Sequence, residues 1–248
     1  MGVRLAKILP LWLILTTPVF GESFRVAYGD DYSPLSFRDG KQTKGVLVDL
    51  MGELGRRLGL TSEAEALPWS RAQAAVQTGE ADAFISIITP AREEYSRPVP
   101  TPVLVNVVIA ATSASHPRID ELRHISTIAE LRKYRHVNYL GSGWAREHLG
   151  NASVTYLPKF ESIFQFLILG RADLLVEDRV TMQYNLSKLG LNNEVEILPA
   201  VFDRVEFRIL VSDKSPLLGQ IPRMDAALRA MNQDGTVRSI LGRWGVRP

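Results

Sequence analysis

The sequence has no cysteine, and only four of its 248 residues are histidine. Without cysteine the chain can form no disulfide bond and has no thiol nucleophile. Gly-x-Ser-x-Gly, phosphate-loop and His-Glu-x-x-His patterns are also missing. The histidines stand singly, without the spacing of metal ligands. We therefore expect no catalytic residue, no metal and no cofactor. We expect the histidines on the surface; they are His116, His124, His136 and His148.

An excess of charge of one sign is also missing. Lysine and arginine number 29, and aspartate and glutamate number 27. Two of the basic residues, Arg4 and Lys7, lie in a segment that we expect to be removed, so the remaining chain is formally neutral. A neutral chain has no net attraction for a phosphate backbone, and we expect no nucleic-acid partner.

Long apolar runs are scarce as well. The main one, residues 8–20, is too short for a good membrane span and follows a basic start. A basic start, an apolar run and small residues up to Gly21 are typical of a secretory signal peptide, which we place at residues 1–21 with cleavage after Gly21. No cysteine follows as a lipid anchor, so we expect a soluble protein of the bacterial periplasm.

After this segment, patterns typical of strands and helices alternate along the chain. Residues 24–29 read as a buried strand, and residues 45–58 have leucines at helical spacing before Gly59. Capping boxes are predicted at Ser70 with Gln73 and at Thr127 with Glu130. Such alternation predicts an α/β protein whose sheets are flanked by helices.

One short pattern occurs twice. The stretches "GEADAFIS" (residues 79–86) and "GRADLLVE" (residues 170–177) each end a helix at glycine, turn at Ala-Asp and enter an apolar strand. Chance could produce so short a repeat. The matching helix before it and strand after it favour two lobes of similar construction.

Two extended stretches, residues 103–117 and 194–212, are suited to carry the chain between the lobes and back. We therefore predict a discontinuous lobe 1 of residues 22–107 and 207–248. Lobe 2 then comprises residues 108–206. Two extended crossings make a hinge, and a hinge permits closure around a ligand.

Chemically versatile residues follow the predicted strands, where open sheets bind ligands. An arginine such as Arg92 offers a paired donor for a carboxylate, and Asp178 could accept from an ammonium. A site for an anion, a site for a cation and aromatic walls together describe a binding site for a zwitterion such as an amino acid. The candidates are Tyr32, Trp69, Ser86, Thr89, Arg92, Ser142, Gly143, Glu177 and Asp178.

Each candidate also has a purely structural interpretation. Arg92 could pair with Glu93 or Glu94 at the surface. Trp69 could be plain core, and Asp178 could only cap the helix that follows it. As a set at strand ends, they favour a binding site.

Longer stretches of the chain resemble the bacterial extracellular solute-binding proteins of family 3. The resemblance rests on "YSPLSF", "GVLVDLMGELGRRLG", "GEADAFISIITPAREEYS", "GSGWAREHL", "GRADLLVED" and "MNQDGTVRSILGRWG". It implies a fold of two lobes, each a sheet flanked by helices, joined by a hinge of two crossings.

The resemblance also implies roles for individual residues. Arg92 matches the arginine for the ligand carboxylate, and the amides of Ser142 and Gly143 share that carboxylate. Asp178 matches the acidic partner of the ligand ammonium. The aromatic walls match Tyr32 and Trp69.

The sequence departs from the family pattern on the strand before Arg92. Family receptors often place hydroxyl side chains there, whereas this chain has Ile85 and Ile87 on either side of Ser86. Fewer hydroxyl partners disfavour a standard polar amino acid and leave room for a different carboxylate.

Three functions follow from the resemblance. The first is a monomeric periplasmic receptor that passes an amino acid or related carboxylate to the membrane permease of an ABC-type importer, a separate chain. The second is an enzyme like the cyclohexadienyl dehydratases, with Glu177 as the acid. The third is a receptor that reports to a membrane sensor.

Overall fold

The computed structural model describes residues 23–246, so the predicted signal peptide lies outside the described residues. The described chain alternates strands and helices, as predicted. The strands are β1 (Ser23–Gly29), β2 (Asp31–Tyr32), β3 (Ser36–Asp39), β4 (Gln42–Lys44), β5 (Thr61–Leu67), β6 (Ala83–Ser86), β7 (Ser96–Pro98), β8 (Leu104–Ser113), β9 (His136–Tyr139), β10 (Val154–Leu157), β11 (Leu175–Asp178) and β12 (Val195–Ser212).

The helices cover the faces of these strands. They are α1 (Val46–Leu58), α2 (Trp69–Thr78), α3 (Pro90–Glu93), α4 (Ile119–Leu122), α5 (Ile128–Leu131), α6 (Gly143–His148), α7 (Phe160–Ile168), α8 (Arg179–Leu189), α9 (Ile221–Gln233) and α10 (Thr236–Arg243), with a 3-10 helix at Pro216–Gln220. Among residues 23–246, no helix combines the length and the apolar character needed to cross a bilayer.

The main sheet has the strand order β11-β8-β12-β6-β1-β5. In the first lobe, β1 lies parallel to both β5 and β6. In the second lobe, β9 and β10 form a parallel pair, and β9 is joined to the chain entering β11. The fold is therefore mixed α/β with two lobes, as the sequence predicts.

The two long strands β8 and β12 run from one lobe to the other. They pair antiparallel along most of their length, from Leu104 opposite Phe207 to Ser113 opposite Val195. The register shifts between Ile197 and Val201 and again before Asp203. The two predicted crossings are thus hydrogen-bonded to each other rather than separate linkers.

The repeated Ala-Asp pattern builds the same joint in both lobes. Asp82 Oδ2 accepts the backbone N–H of Arg25 at 2.8 Å, and the Asp82 N–H donates to the Arg25 carbonyl at 2.8 Å. Asp173 and Arg135 repeat both bonds, at 2.9 Å and 2.8 Å. Each aspartate therefore ties the turn before its strand to the start of the neighbouring strand.

The two aspartates differ in their remaining hydrogen-bond partners. Asp82 also accepts from the Ser215 hydroxyl at 2.8 Å, which attaches the C-terminal part of the chain to the first lobe. Asp173 contacts His116 and accepts from the Arg135 guanidinium. Burial alone would raise the pKa of Asp173, but these hydrogen bonds outweigh it and hold the pKa well below its usual range.

Of the two capping boxes predicted from the sequence, the structure contains one. Thr127 and Glu130 form the predicted capping box of α5. The box predicted at Ser70 and Gln73 is wrong, because α2 begins two residues earlier than this box requires, at Trp69, with Pro68 in the N-cap position and no side-chain cap. Ser70 is therefore inside the first turn, and Gln73 is free for another partner.

We expect Asp82→Ala and Asp173→Ala each to lower the free energy of unfolding by about 1.5–3 kcal/mol, because each removes a buried charged acceptor from a partly buried backbone N–H. Urea denaturation followed by circular dichroism measures the change. The matched control is Asp120→Ala, whose side chain is 87% exposed, with an expected change within about 0.5 kcal/mol.

The loss of stability in Asp173→Ala should also depend on pH. Since folding lowers its pKa, its ionised form stabilises the folded state above the unfolded pKa of about 3.9, and this contribution is lost as the pH falls through the folded pKa. The difference between wild type and Asp173→Ala should therefore shrink in acid. A difference that stays constant down to acid unfolding would contradict this role.

Candidate functional site

A cavity of about 70 Å³ lies where the two lobes face each other. Side chains from both lobes line it, and the middle of the two crossings contributes Val108, Val205 and Phe207. Eight of the nine predicted site residues line it: Tyr32, Trp69, Ser86, Arg92, Ser142, Gly143, Glu177 and Asp178. Thr89 is not among the lining residues; it is buried at the N-cap position of α3.

Arg92 reaches the cavity because β6 leads into a tight helical start. Thr89 is extended, Pro90 opens α3, and Arg92 follows in its first turn. The side chain is buried, with its guanidinium 5.5 Å from the centre of the Trp69 ring. Its Nε donates to Gln73 at 3.1 Å, and Nη1 donates to the Ile87 carbonyl at 2.9 Å.

The guanidinium has only neutral hydrogen-bond partners. Within residues 23–246 it forms no ion pair, and its Nη2 donates to no protein acceptor. Burial lowers the pKa of Arg92 to about 10, so the group stays charged at neutral pH. A buried charge without a counter-charge is costly, and a bound anion would lower this cost.

The start of α6 faces this guanidinium from the other lobe. A Cβ atom at Gly143 would lie 3.0 Å from both Nη1 and Nη2 of Arg92. A larger residue at this position would require the guanidinium to shift by a few tenths of an ångström. Ser142 caps the helix, since its hydroxyl accepts the Ala145 N–H at 3.3 Å.

Glu177 and Asp178 end β11 on the second lobe, and both are buried. The Tyr32 hydroxyl, from the first lobe, lies 2.8 Å from Glu177 Oε1 and 2.6 Å from Asp178 Oδ2. Asp178 Oδ1 accepts from Asn106 at 2.5 Å and from the Thr181 N–H at 2.9 Å. Two carboxyl groups therefore share one hydroxyl, with no cation paired to them among the described residues.

The acid pair is electrostatically unfavourable when both members are ionised. Burial, and next the negative charge of Asp178, raise the pKa of Glu177 to about 8. Burial also raises the pKa of Asp178, although its hydrogen bonds from Tyr32, Thr181 and Asn106 oppose the shift. Burial and both carboxylates raise the pKa of Tyr32 well above its usual range, so Tyr32 stays protonated.

Much of the remaining lining is apolar. Ile85 and Ile87 line the cavity on the first lobe, as the sequence indicates, and Val176 lines it on the second. Tyr139 adds an aromatic wall at the end of β9, with its ring centre 5.7 Å from that of Tyr32. Hydroxyl groups are also present in the lining, among them that of Tyr28.

Direct contacts join the lobes around the cavity. Trp69 Nε1 donates to the Gly141 carbonyl at 3.1 Å. On the far side, the Asn185 side chain donates to the Ser33 carbonyl at 2.8 Å, and the Phe160 N–H donates to Asp31 at 3.1 Å. The lobes of this structure are thus closed on each other.

The structure tests the purely structural interpretations of Arg92, Trp69 and Asp178. Arg92 is buried and pairs with neither Glu93 nor Glu94. Trp69 is partly exposed and its indole bridges the lobes. Asp178 does cap α8, through the Thr181 N–H, and it also lines the cavity.

Sequence reasoning missed several residues at the site. Gln73 supports Arg92, Asn106 holds Asp178, and Trp144 lines the cavity while donating to Asp203 at 2.7 Å. Tyr139 could have been predicted from the sequence, because it lies at the end of a predicted strand. Asn106 lies inside a crossing strand, where no local pattern marks it.

The expectation of surface histidines is wrong for two of the four. His116 is buried against Asp173, and His136 is buried with Nε2 at 2.8 Å from the Leu131 carbonyl. Both satisfy polar groups inside the second lobe. In the part of the chain that the structure describes, no three His, Asp or Glu side chains are arranged to hold a metal ion.

Comparison with known proteins identifies the class. The family model for bacterial extracellular solute-binding proteins, family 3, matches residues 24–247, and the chain belongs to this family. A probable amino-acid-binding protein, YxeM of Bacillus subtilis, is 20% identical over 218 residues, which are 86% of this chain and 80% of YxeM.

Solved structures share the fold. A histidine kinase sensor domain with similarity to periplasmic binding proteins matches with a TM-score of 0.78 at 18% identity, covering 91% of this chain and 98% of that one. The ancestral amino acid-binding protein AncCDT-1, a precursor of cyclohexadienyl dehydratase, matches with a TM-score of 0.71 at 24% identity, over 90% and 95% of the chains.

The raised pKa of Glu177 predicts how the stability of the ligand-free protein depends on pH. A carboxyl whose pKa is raised by folding stabilises the folded state fully below its unfolded pKa, and this contribution is lost as the pH rises through the folded pKa. The window runs from the ordinary value of 4.5 to about 8. Wild type should lose stability across it, by at most about 1.4 kcal/mol per pH unit.

Glu177→Gln should remove this slope, because the amide does not titrate. The control is Glu147→Gln, at an exposed position, which should keep the slope of wild type. Denaturant unfolding between pH 5 and pH 9 provides the measurement. Parallel curves for wild type and Glu177→Gln would rule out a raised pKa at this position.

Proposed function

We propose that this protein is a periplasmic receptor that captures an amino acid, or a related small carboxylate, for import into the cell. The signal peptide predicted at residues 1–21 would export it. The ligand would sit in the cavity between the lobes, with its carboxylate at Arg92 and its ammonium at the acid pair.

One observation carries this proposal: opposite charges are buried in a single cavity without being paired. Arg92 has neutral partners, and Glu177 and Asp178 share a hydroxyl. A protein that used these charges for stability would bring them together. Opposite charges that line one cavity without pairing fit a ligand that carries both signs.

The cavity also limits the body of the ligand. Its volume of about 70 Å³ is small, so a compact molecule fits best unless the lobes separate further than they do here. Ile85 and Ile87 offer apolar contact where hydroxyl groups would otherwise bind a polar side chain. We therefore favour an amino acid or carboxylate with a small apolar body.

The partner of the receptor follows from family membership and from what the chain lacks. The sequence contains no phosphate-binding loop, so an importer would supply its ATPase and its permease as separate chains. A receptor that reports to a membrane sensor is the alternative, favoured by the similarity to a kinase sensor domain. Permease and ATPase genes beside this one would indicate import; a sensor kinase gene would indicate signalling.

A second candidate function, a dehydratase, is supported by the state of Glu177. A carboxyl that stays protonated near neutral pH can act as a general acid. Prephenate carries two carboxylates, of which one could bind Arg92 and the ring carboxylate would leave as CO2, while a protonated acid helps the ring hydroxyl to leave as water. Incubation of the pure protein with prephenate, followed by ultraviolet absorbance, tests this: formation of phenylpyruvate would overturn the receptor assignment.

The lobes would close by rotation about the paired crossings. Lobe 1 would comprise residues 22–107 and 207–248, and lobe 2 residues 108–206. The contacts of Trp69 with Gly141 and of Tyr32 with the acid pair belong to the closed form. Ligand contacts with both lobes would favour that form, because a ligand shifts a population only through contacts that differ between states.

The central prediction concerns Arg92. A thermal-shift screen of amino acids and small carboxylates identifies a ligand, since one at a hundred times its dissociation constant adds about 2.7 kcal/mol of stability. Arg92→Ala should then weaken binding by roughly 30-fold to a few thousand-fold, because truncating one member of a buried charge pair costs about 2–5 kcal/mol.

Arg92→Lys should restore binding only in part, because lysine cannot make the paired contact with a carboxylate. The matched control is Arg97→Ala, at an exposed arginine five residues further on, which should bind like wild type. Calorimetry gives the affinities and circular dichroism confirms folding. Folded Arg92→Ala that binds within about threefold of wild type, less than about 1 kcal/mol, would move the site elsewhere.

Closure is testable by small-angle X-ray scattering. The radius of gyration should be smaller at saturating ligand than without ligand. Arg92→Ala at the same ligand concentration should keep the larger value, because it leaves the site mostly empty. An unchanged radius in saturated wild type would argue against a hinged receptor.

A further inference from the structure

Glu177 has a distinct position within the acid pair. All the donors around Asp178 come from the protein: Asn106 and the Thr181 N–H at Oδ1, and Tyr32 at Oδ2. Glu177 accepts the Asp178 N–H at 2.9 Å and approaches Tyr32, in both cases through Oε1. Within residues 23–246 no donor lies within hydrogen-bonding distance of Glu177 Oε2.

The Tyr32 hydroxyl cannot satisfy both carboxylates. It carries one proton and can donate it to only one acceptor at a time. Two buried carboxylates at hydrogen-bonding distance from one oxygen repel each other strongly, and such pairs hold a proton instead of ionising fully. Asp178, with three donors around it, is the better anion, so the proton belongs on Glu177.

The charged and titratable groups around Glu177 support this assignment. Asp178 follows it on β11, Tyr32 faces it from β2, and Tyr139 lines the same cavity from β9. Arg92, on α3, lines the same cavity but forms no ion pair with it. None of these groups supplies a cation at Oε2.

We propose that Glu177 holds a proton in the empty site and releases it to solvent when the ammonium group of the ligand binds. The inference rests on the proposed function and makes Glu177, rather than Asp178 alone, the acceptor for the ammonium. One proton leaves the carboxyl group and one ammonium takes its place, so the net charge at the acid pair is the same in both states.

The exchange has consequences for specificity and for pH dependence. Amino acids should bind more tightly as the pH rises towards about 8, by up to about tenfold per pH unit, because the proton competes less. A 2-hydroxy acid of the same shape carries no ammonium and should not displace the proton. Glu177 would thus select amino acids over hydroxy acids.

The first experiment needs no ligand. Side-chain carboxyl carbons of glutamate are labelled with ¹³C and followed by NMR from pH 4 to pH 10. One signal should titrate near pH 8 and be missing in Glu177→Gln, whereas Glu147→Gln should retain it. A Glu177 signal that titrates near its ordinary value would overturn the proposal by itself.

The second experiment uses the twenty standard L-amino acids as probes, each compared where possible with its 2-hydroxy acid. For the tightest amino acid, calorimetry at pH 7 in two buffers of different ionisation enthalpy should show release of about one proton per molecule bound. Glu177→Gln should bind more weakly, release none and lose its pH dependence. Glu147→Gln should match wild type.

The possible failures are distinguishable. Binding of an amino acid without proton release would overturn the exchange and leave the receptor function standing. Failure of all twenty amino acids to bind would overturn the amino-acid receptor and the exchange together. Equal affinity for an amino acid and its hydroxy acid would remove the selectivity assigned to Glu177.

Discussion

The antiparallel pairing of β8 with β12 is the interaction on which both lobes and the cavity depend. Because the two crossings are hydrogen-bonded to each other, they act as one ribbon. The same ribbon supplies the floor of the cavity through Val108, Val205 and Phe207, and it holds Asp178 through Asn106. Bending of the hinge and shape of the site are therefore properties of the same backbone.

On this floor the lobes contribute opposite charges. The first lobe presents a guanidinium with neutral partners, and the second presents two carboxyl groups that share the hydroxyl of Tyr32. Each lobe lowers the cost of burying its charge by its own means. The Arg92 guanidinium lies 5.5 Å from the centre of the Trp69 ring and bonds to Gln73, and Asp178 is surrounded by donors from the protein. Within residues 23–246 the guanidinium and the carboxyl groups form no ion pair with each other, so neither neutralises the other.

The sequence predicts the framework better than the site. The repeated Ala-Asp pattern, the path from β6 into Arg92 and the crossing strands are all local patterns, and the structure contains each of them. The contact between Tyr32 and Glu177 joins residues 145 positions apart, so no local pattern reports it. The role of Gln73 is not predicted for a related reason: α2 begins two residues earlier than the capping box requires, which leaves the Gln73 side chain available to accept from Arg92. The burial of His116 and His136 depends on how the second lobe packs, which spacing along the chain does not reveal.

A binding protein of this kind must close its lobes around a ligand and must also be specific for that ligand. The contact between Trp69 and Gly141 separates these two properties. The acceptor is a backbone carbonyl, and both Gly141 and Gly143 meet the first lobe without a side chain. Closure at these two glycines therefore does not depend on lining side chains such as Ile85 and Val176, which form no hydrogen bond between the lobes. Those apolar residues can change, and the repertoire of ligands with them, while Trp69 and Tyr32 keep their contacts with the second lobe. A protein built in this way can bind new ligands after a few substitutions in its cavity, while the lobes still close in the same way.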